Sequence, residues 1–324
     1  MKIAIVYPTL LPLAWDVSGG IVHTLRKLGH LVMEMPQSIE CHTSVNWWSR
    51  LDEINAGDLF LLIAPEWAIE GDGYCGYHNA EPKPKIDSIL SMIKIKKAAL
   101  FTENQVVDDG KKTFDFKQIA SMFDFNFFIT AQEAALTGGL WLPPAVDTDM
   151  FHPTGQLRTI EIAAPGTSWS ESKRDFLYRY SQIASPQYIP VVGKCIVENL
   201  DGISLYETAK LLAYDYNRVK IVVSLPPWKN HVPTFLPLRA TDAMACGCCV
   251  LTPVLRGAAA ENSKFINGVD LFYYEPTPAG LLETLLRVID KPEKRDAVAA
   301  RAPLAIQDGN TLEQRMETML SVCS

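Results

Sequence analysis

The chain has 324 residues, room for two domains at roughly 100–200 residues each. With 48% hydrophobic and 21% charged residues it has the balance of an ordinary globular protein, and each half is long enough to bury its own core. A net charge of −7 argues against a protein that coats nucleic acid, although a local basic cleft on an acidic protein stays open. The seven cysteines are an odd number, and MKIAIVYPTL reads as a first strand rather than a signal peptide. No run of about 18 or more apolar residues marks a membrane span. These features predict a reduced, cytoplasmic protein.

Lys2–Tyr7 is a short apolar run of the kind found in a buried parallel strand. A loop with Gly19 and Gly20 follows, then a helix carrying Ile21, Val22, Leu25 and Leu28, then a strand at Leu31–Met35. That order is a βαβ unit. Strands are expected at Leu59–Ala64, Ala98–Thr102 and Phe127–Thr130, alternating with helical patterns at Lys85–Ile95 and Phe116–Met122. Gly71–Lys85 reads as a loop. The stretch LPPAVDTDMFHP, with three prolines and little periodicity, places the domain boundary near residue 150. The alternation then restarts. Strands are expected at Ile160–Ala164, Ile189–Val192, Val219–Leu225 and Cys249–Thr252, and helices at Lys173–Ile183, Leu205–Ala213 and Leu238–Ala245. Glu293–Arg301 and Thr311–Leu320 look like closing helices. The pattern is α/β: two Rossmann-like domains, 1–150 and 151–305, facing each other across a cleft, with 306–324 a C-terminal helix free to pack back on the first.

The segment Ser224–Thr252 is the most informative. A strand runs through a proline-rich loop into a helix that begins near Leu238 and ends at Gly247. A helix N-terminus offers free N–H groups and partial positive charge to an anion such as a diphosphate. Arg239 adds a bidentate cation in the first turn. Asp242, three residues on, lies on the same face and can accept from two neighbouring hydroxyls, as on a ribose. The same spacing is also that of an ordinary surface ion pair, and spacing alone favours that reading.

Several strings shift the balance. LRATDAMACGCCVLT resembles the donor-site pattern of GT-B glycosyltransferases of the spore-maturation-like and group 1 families. WLPPAVDTDMFHP resembles their interdomain segment, and VSGGIVHTLRKLGH their N-terminal glycine loop and helix. TAKLLAYDYNRVKIVVSL is similar to the helix and strand before the donor loop, and NGVDLFYYEPTPAGLLETLLRVIDKPEKRDAVAARA to their C-terminal strand and helices. The matches keep their order through most of the chain. Two positions depart from the pattern: Asp242 stands where the family carboxylate is usually Glu, and Thr234 where many retaining members carry another Glu. The second departure favours the spore-maturation-like branch.

The resemblance implies transfer of a sugar from a nucleoside diphosphate sugar, UDP-linked, to an acceptor hydroxyl. It implies a donor site at Arg239, Asp242, Leu238 and Thr234, with no cofactor and no metal. Lys173 and Arg174, near the start of a helix, and Lys194, just beyond a strand, stand where donor phosphates would lie, although each alone is more often a solvated charge. Gly19 and Gly20 are candidates for an acceptor or phosphate loop. An inverting reaction needs a base from the N-terminal domain; Glu103 and Glu66, each just after a strand, and His23 are the candidates. The acceptor is open among glycan, protein, small molecule and modified DNA base, and the aromatic loop Trp67–His78 is a place for it to stack. Asp147-Thr148-Asp149 spells a metal-binding motif of a different glycosyltransferase fold but lies in the linker pattern. Cys246, Cys248 and Cys249 lack zinc-like spacing and read as a buried helix end. A sugar-nucleotide epimerase and a non-catalytic sugar-nucleotide-binding protein are the alternatives on the same fold.

Overall fold

The computed structural model describes residues 1–9, 17–38, 47–65, 86–102, 116–165, 171–193, 205–226, 235–257, 260 and 263–324. They form two compact units, Met1–Pro143 with Glu313–Ser324, and Pro144–Leu312. Both are α/β, each built on an all-parallel sheet.

In the first unit the strands are β1 (Lys2–Thr9), β2 (Leu31–Ser38), β3 (Leu59–Ile63), β4 (Lys96–Phe101), β5 (Phe125–Phe128) and β6 (Leu140–Trp141), in the order β2-β1-β3-β4-β5-β6. All five residues of β3, LFLLI, are buried, as a strand covered on both faces must be. Val6, Phe60, Leu62, Phe101 and Phe128 share one core, and the last two rings stack at 4.4 Å. Each such fully buried side chain stabilises the fold by roughly 1.5–3 kcal/mol.

Helix α1 (Val17–Lys27) begins earlier than its apolar periodicity suggested. Gly19 and Gly20, expected in a loop, therefore lie in its first turn, and neither adopts a positive φ. The pair opens a helix instead of lying in the loop before it. Helices α2 (Leu51–Asn55), α3 (Ile86–Ser91), α4 (Phe116–Ala120) and α5 (Ala131–Thr137) follow. α5 was not anticipated, because Thr130 reads as the end of a strand. In the structure Thr130 caps the helix, accepting from the Glu133 N–H at 3.3 Å while its hydroxyl donates to Glu133 Oε2 at 2.6 Å. The C-terminal helix, numbered α11 (Leu312–Cys323), belongs to this unit. Glu313 pairs with Lys27 at 3.1 Å, and Lys96 Nζ donates to the Cys323 carbonyl at 2.9 Å.

The second unit contains β7 (Ile160–Pro165), α6 (Glu171–Ser181), β8 (Val191–Gly193), α7 (Leu205–Tyr216), β9 (Val219–Val223), α8 (Leu238–Ala245), β10 (Cys249–Pro253), β11 (Phe272–Tyr274), α9 (Pro278–Ile289) and α10 (Pro292–Gln307). The strand order is β11-β10-β9-β7-β8. Ile221, Val223, Leu251 and Tyr274 point into a core shared with Tyr180 of α6 and Leu281, Leu285 and Val288 of α9. Among the described residues, no helix is long and apolar enough to cross a membrane.

Candidate functional site

The winding of the second sheet positions the site. From β7 the chain turns one way to β8, then crosses to the other side of β7 for β9 and continues outward to β10 and β11. The direction of winding reverses between β7 and β9, and in open parallel sheets ligands bind outside the strand ends at such a reversal. The helices that follow these two strands are α6 and α8. Each carries a cation in its first turn, Lys173 on α6 and Arg239 on α8.

α8 starts as the sequence predicts. Pro237 is its cap residue, with no side-chain hydrogen bond, and the first turn holds no acid. The Pro237 carbonyl accepts from the N–H groups of Ala240 and Thr241 at 2.8 and 3.3 Å. A cation there opposes the helix dipole, so its placement calls for an anion. Arg239 is partly buried, and burial pulls its pKa below the ordinary value, against the opposing influence of the Tyr216 and Tyr274 phenols. Its Nε donates to Ser224 Oγ at 3.4 Å, and among the described residues no ion pair joins it to Asp242. The surface ion pair that spacing favoured is therefore not formed.

Lys173 is partly buried as well. Its pKa falls to about 8, first through burial and second through the nearby charge of Arg239. Two like charges held close enough to repel are the electrostatic mark of a place for a shared anion. Arg174, the next residue, is exposed, and Leu238 is the first residue of α8, partly buried.

Asp242 is 4% exposed. Burial, and secondarily the charge of Asp147, push its carboxyl well above the usual carboxylate range. The purely accepting carboxylate expected from the sequence is thus disfavoured: the environment prefers the protonated acid, which both donates and accepts. Asp147 and Asp149 close a turn in the linker, with Asp149 N–H donating to Asp147 Oδ1 at 3.1 Å and Phe151 N–H to the Asp147 carbonyl at 2.8 Å. Among the described residues no group of three His, Cys, Asp or Glu is arranged to hold a metal.

The cysteines at the end of α8 are buried free thiols, and burial lifts Cys248 to about 11. They surround a feature that the sequence did not disclose. Arg158 donates to the carbonyls of Cys246 at 2.7 Å, Tyr216 at 3.1 Å and Val219. One guanidinium thereby closes the C-terminal ends of both α7 and α8. Gly247 turns the chain beside it at φ +77°, where an added Cβ would lie 3.1 Å from Arg158 Nη2.

His23 lies on α1, partly buried. Glu66, Glu103, Lys194, Thr234 and the Trp67–His78 loop lie outside the described residues. Ser224, Tyr216 and Tyr274 are contributors to the site that sequence reasoning passed over. Each stands at an element's end, and nothing local to its own string marks it.

Comparison with known proteins bears on the fold. Residues 202–321 match the model of the glycosyl transferase-like family. No curated protein matches the chain significantly. Among solved structures, a glycosyltransferase from Rickettsia africae superposes with a TM-score of 0.63 at 13% identity, covering 99% of this chain and 98% of that one. Sucrose-phosphate synthase from Thermosynechococcus elongatus gives 0.63 at 12% identity, over 99% and 98% of the two chains. Anabaena HepE in complex with UDP and glucose gives 0.61 at 11% identity, over 98% and 99%. The chain has the GT-B fold of these glycosyltransferases along its whole length and resembles the glycosyl transferase-like family over residues 202–321.

Proposed function

We propose that the chain is a glycosyltransferase that moves a sugar from a nucleoside diphosphate sugar, UDP-linked, to an acceptor hydroxyl. The observation that carries this is the pairing of Lys173 and Arg239 in the first turns of the two helices that follow β7 and β9. The diphosphate sits between these cations and the free N–H groups of α8. The bond between the sugar C1 and the diphosphate oxygen breaks, and the diphosphate leaves with the electron pair. The acceptor oxygen bonds to C1, and its proton passes to a base. Lys173 and Arg239 stabilise the charge that grows on the leaving group. They supply the positive charge that a metal supplies elsewhere, which supports a metal-independent reaction. Asp242, whose burial favours the acid form, both gives and takes hydrogen bonds with the ribose diol. Glu103, Glu66 and His23 are the candidate bases, to be substituted one at a time. Bound UDP and glucose in the Anabaena protein, and free thiols at Cys246, Cys248 and Cys249, support UDP-glucose as the first donor to try and the cytoplasm as the place of action.

The test is a panel of nucleoside diphosphate sugars, with wild type and Arg239→Ala, read for UDP release, with product analysis in the absence of acceptor. Release or binding that depends on Arg239 supports transfer. An epimerised sugar nucleotide would assign the chain to epimerase chemistry instead. No donor binding, or binding indifferent to Arg239, refutes the reading.

A further inference from the structure

Arginine has five N–H donors on one planar group. Among the described residues only the Nε–H of Arg239 is spent, on Ser224 Oγ. Ser224 is 0% exposed and follows the last residue of β9. Its backbone is fixed twice over: its N–H donates to the Leu251 carbonyl at 2.8 Å, and its own carbonyl accepts from the Tyr274 hydroxyl at 2.7 Å. Tyr274 is buried, and burial holds its phenol in the protonated, donating form. Val223 points into the core beneath α6 and α9, so the alternation of a strand turns Ser224 to the opposite face. The Ser224 hydroxyl is thus a rigidly placed acceptor beneath the first turn of α8.

We propose that Ser224 is a positioning residue for Arg239. By accepting the Nε–H, its hydroxyl fixes the guanidinium plane and leaves both Nη groups for a nucleoside diphosphate. The inference rests on the donor-site reading above and deepens it. A long side chain held in its bound geometry before the ligand arrives loses less freedom on binding. At 3.4 Å the contact is longer than the usual 2.7–3.2 Å, so its removal costs roughly 3- to 10-fold in affinity rather than the whole of binding.

The experiment is a double-mutant cycle read by calorimetric titration with UDP, using wild type, Ser224→Ala, Arg239→Lys and the double variant. Lysine keeps the charge but has no Nε and no fork. Ser224→Ala should weaken UDP binding roughly 3- to 10-fold in the wild-type background and have no further effect in the Arg239→Lys background. A Ser224 that only supports the strand end would cost the same factor in both backgrounds, and that additivity overturns the proposal. If Ser224→Ala unfolds without cooperativity, the nearly isosteric Ser224→Cys takes its place with the same expected non-additivity. Wild type that binds no UDP, or Arg239→Lys that binds like wild type, overturns the donor-site reading and this proposal together. Additivity overturns this proposal alone.

Discussion

Raising the pH from 7 to 9 should weaken UDP binding about tenfold through one side chain, Lys173. Burial and the charge of Arg239 bring its pKa down to about 8. With that value the ammonium form falls from about nine-tenths of the population at pH 7 to about one-tenth at pH 9. A bound diphosphate reverses the second cause by placing negative charge between the two cations, so the bound protein holds the proton more tightly than the free one. Binding therefore takes up a proton above pH 8, and affinity drops as pH rises, by about 1.4 kcal/mol over the window. The second ionisation of a phosphate group lies near pH 6, below this range. Calorimetric titrations with UDP at pH 7, 8 and 9, each in two buffers of different ionisation enthalpy, read both the affinity and the proton uptake. Lys173→Arg places a non-titrating cation at the same position and should give a flat profile with no uptake. A wild-type profile that is flat, or a Lys173→Arg profile that keeps the slope, would refute the argument.

Two further expectations concern the same unit. Arg158→Met removes the donor shared by the carbonyls of Tyr216, Val219 and Cys246 and leaves them without it. At about 1 kcal/mol net for each bond, stability should fall by about 3 kcal/mol in urea unfolding, and a loss below about 1 kcal/mol would show that the carbonyls find other partners. Asp242→Asn should fold normally and bind UDP within about threefold of wild type, because the amide resembles the protonated acid that burial and Asp147 favour. A loss above about thirtyfold would show that the ionised carboxylate is needed.

The order of elements was legible in the chain because it follows from local rules. Short apolar runs such as LFLLI read as strands covered on both faces, and α8 runs over the Leu238–Ala245 span that its sequence predicts. The candidate donor segment was legible for the same reason, since Arg239 and Asp242 stand close in sequence on one short helix. Other features depend on which strands become neighbours, and no string of residues states that. Placing β9 beside β7 rather than β8 brings Arg239 towards Lys173, 66 positions earlier in the chain. The pairing of β9 with β10 and of β10 with β11 sets Ser224 under Tyr274, and the packing of α7 and α8 gives Arg158 two helix ends to close. The protonation preference of Asp242 was likewise invisible, because an aspartate's charge state is set by how much water reaches it and by which acid lies across from it. The sequence determined most of the elements and their polarity, α5 and the start of α1 excepted. The charges of the site were decided by burial and by long-range strand order, which exist only once the chain has folded.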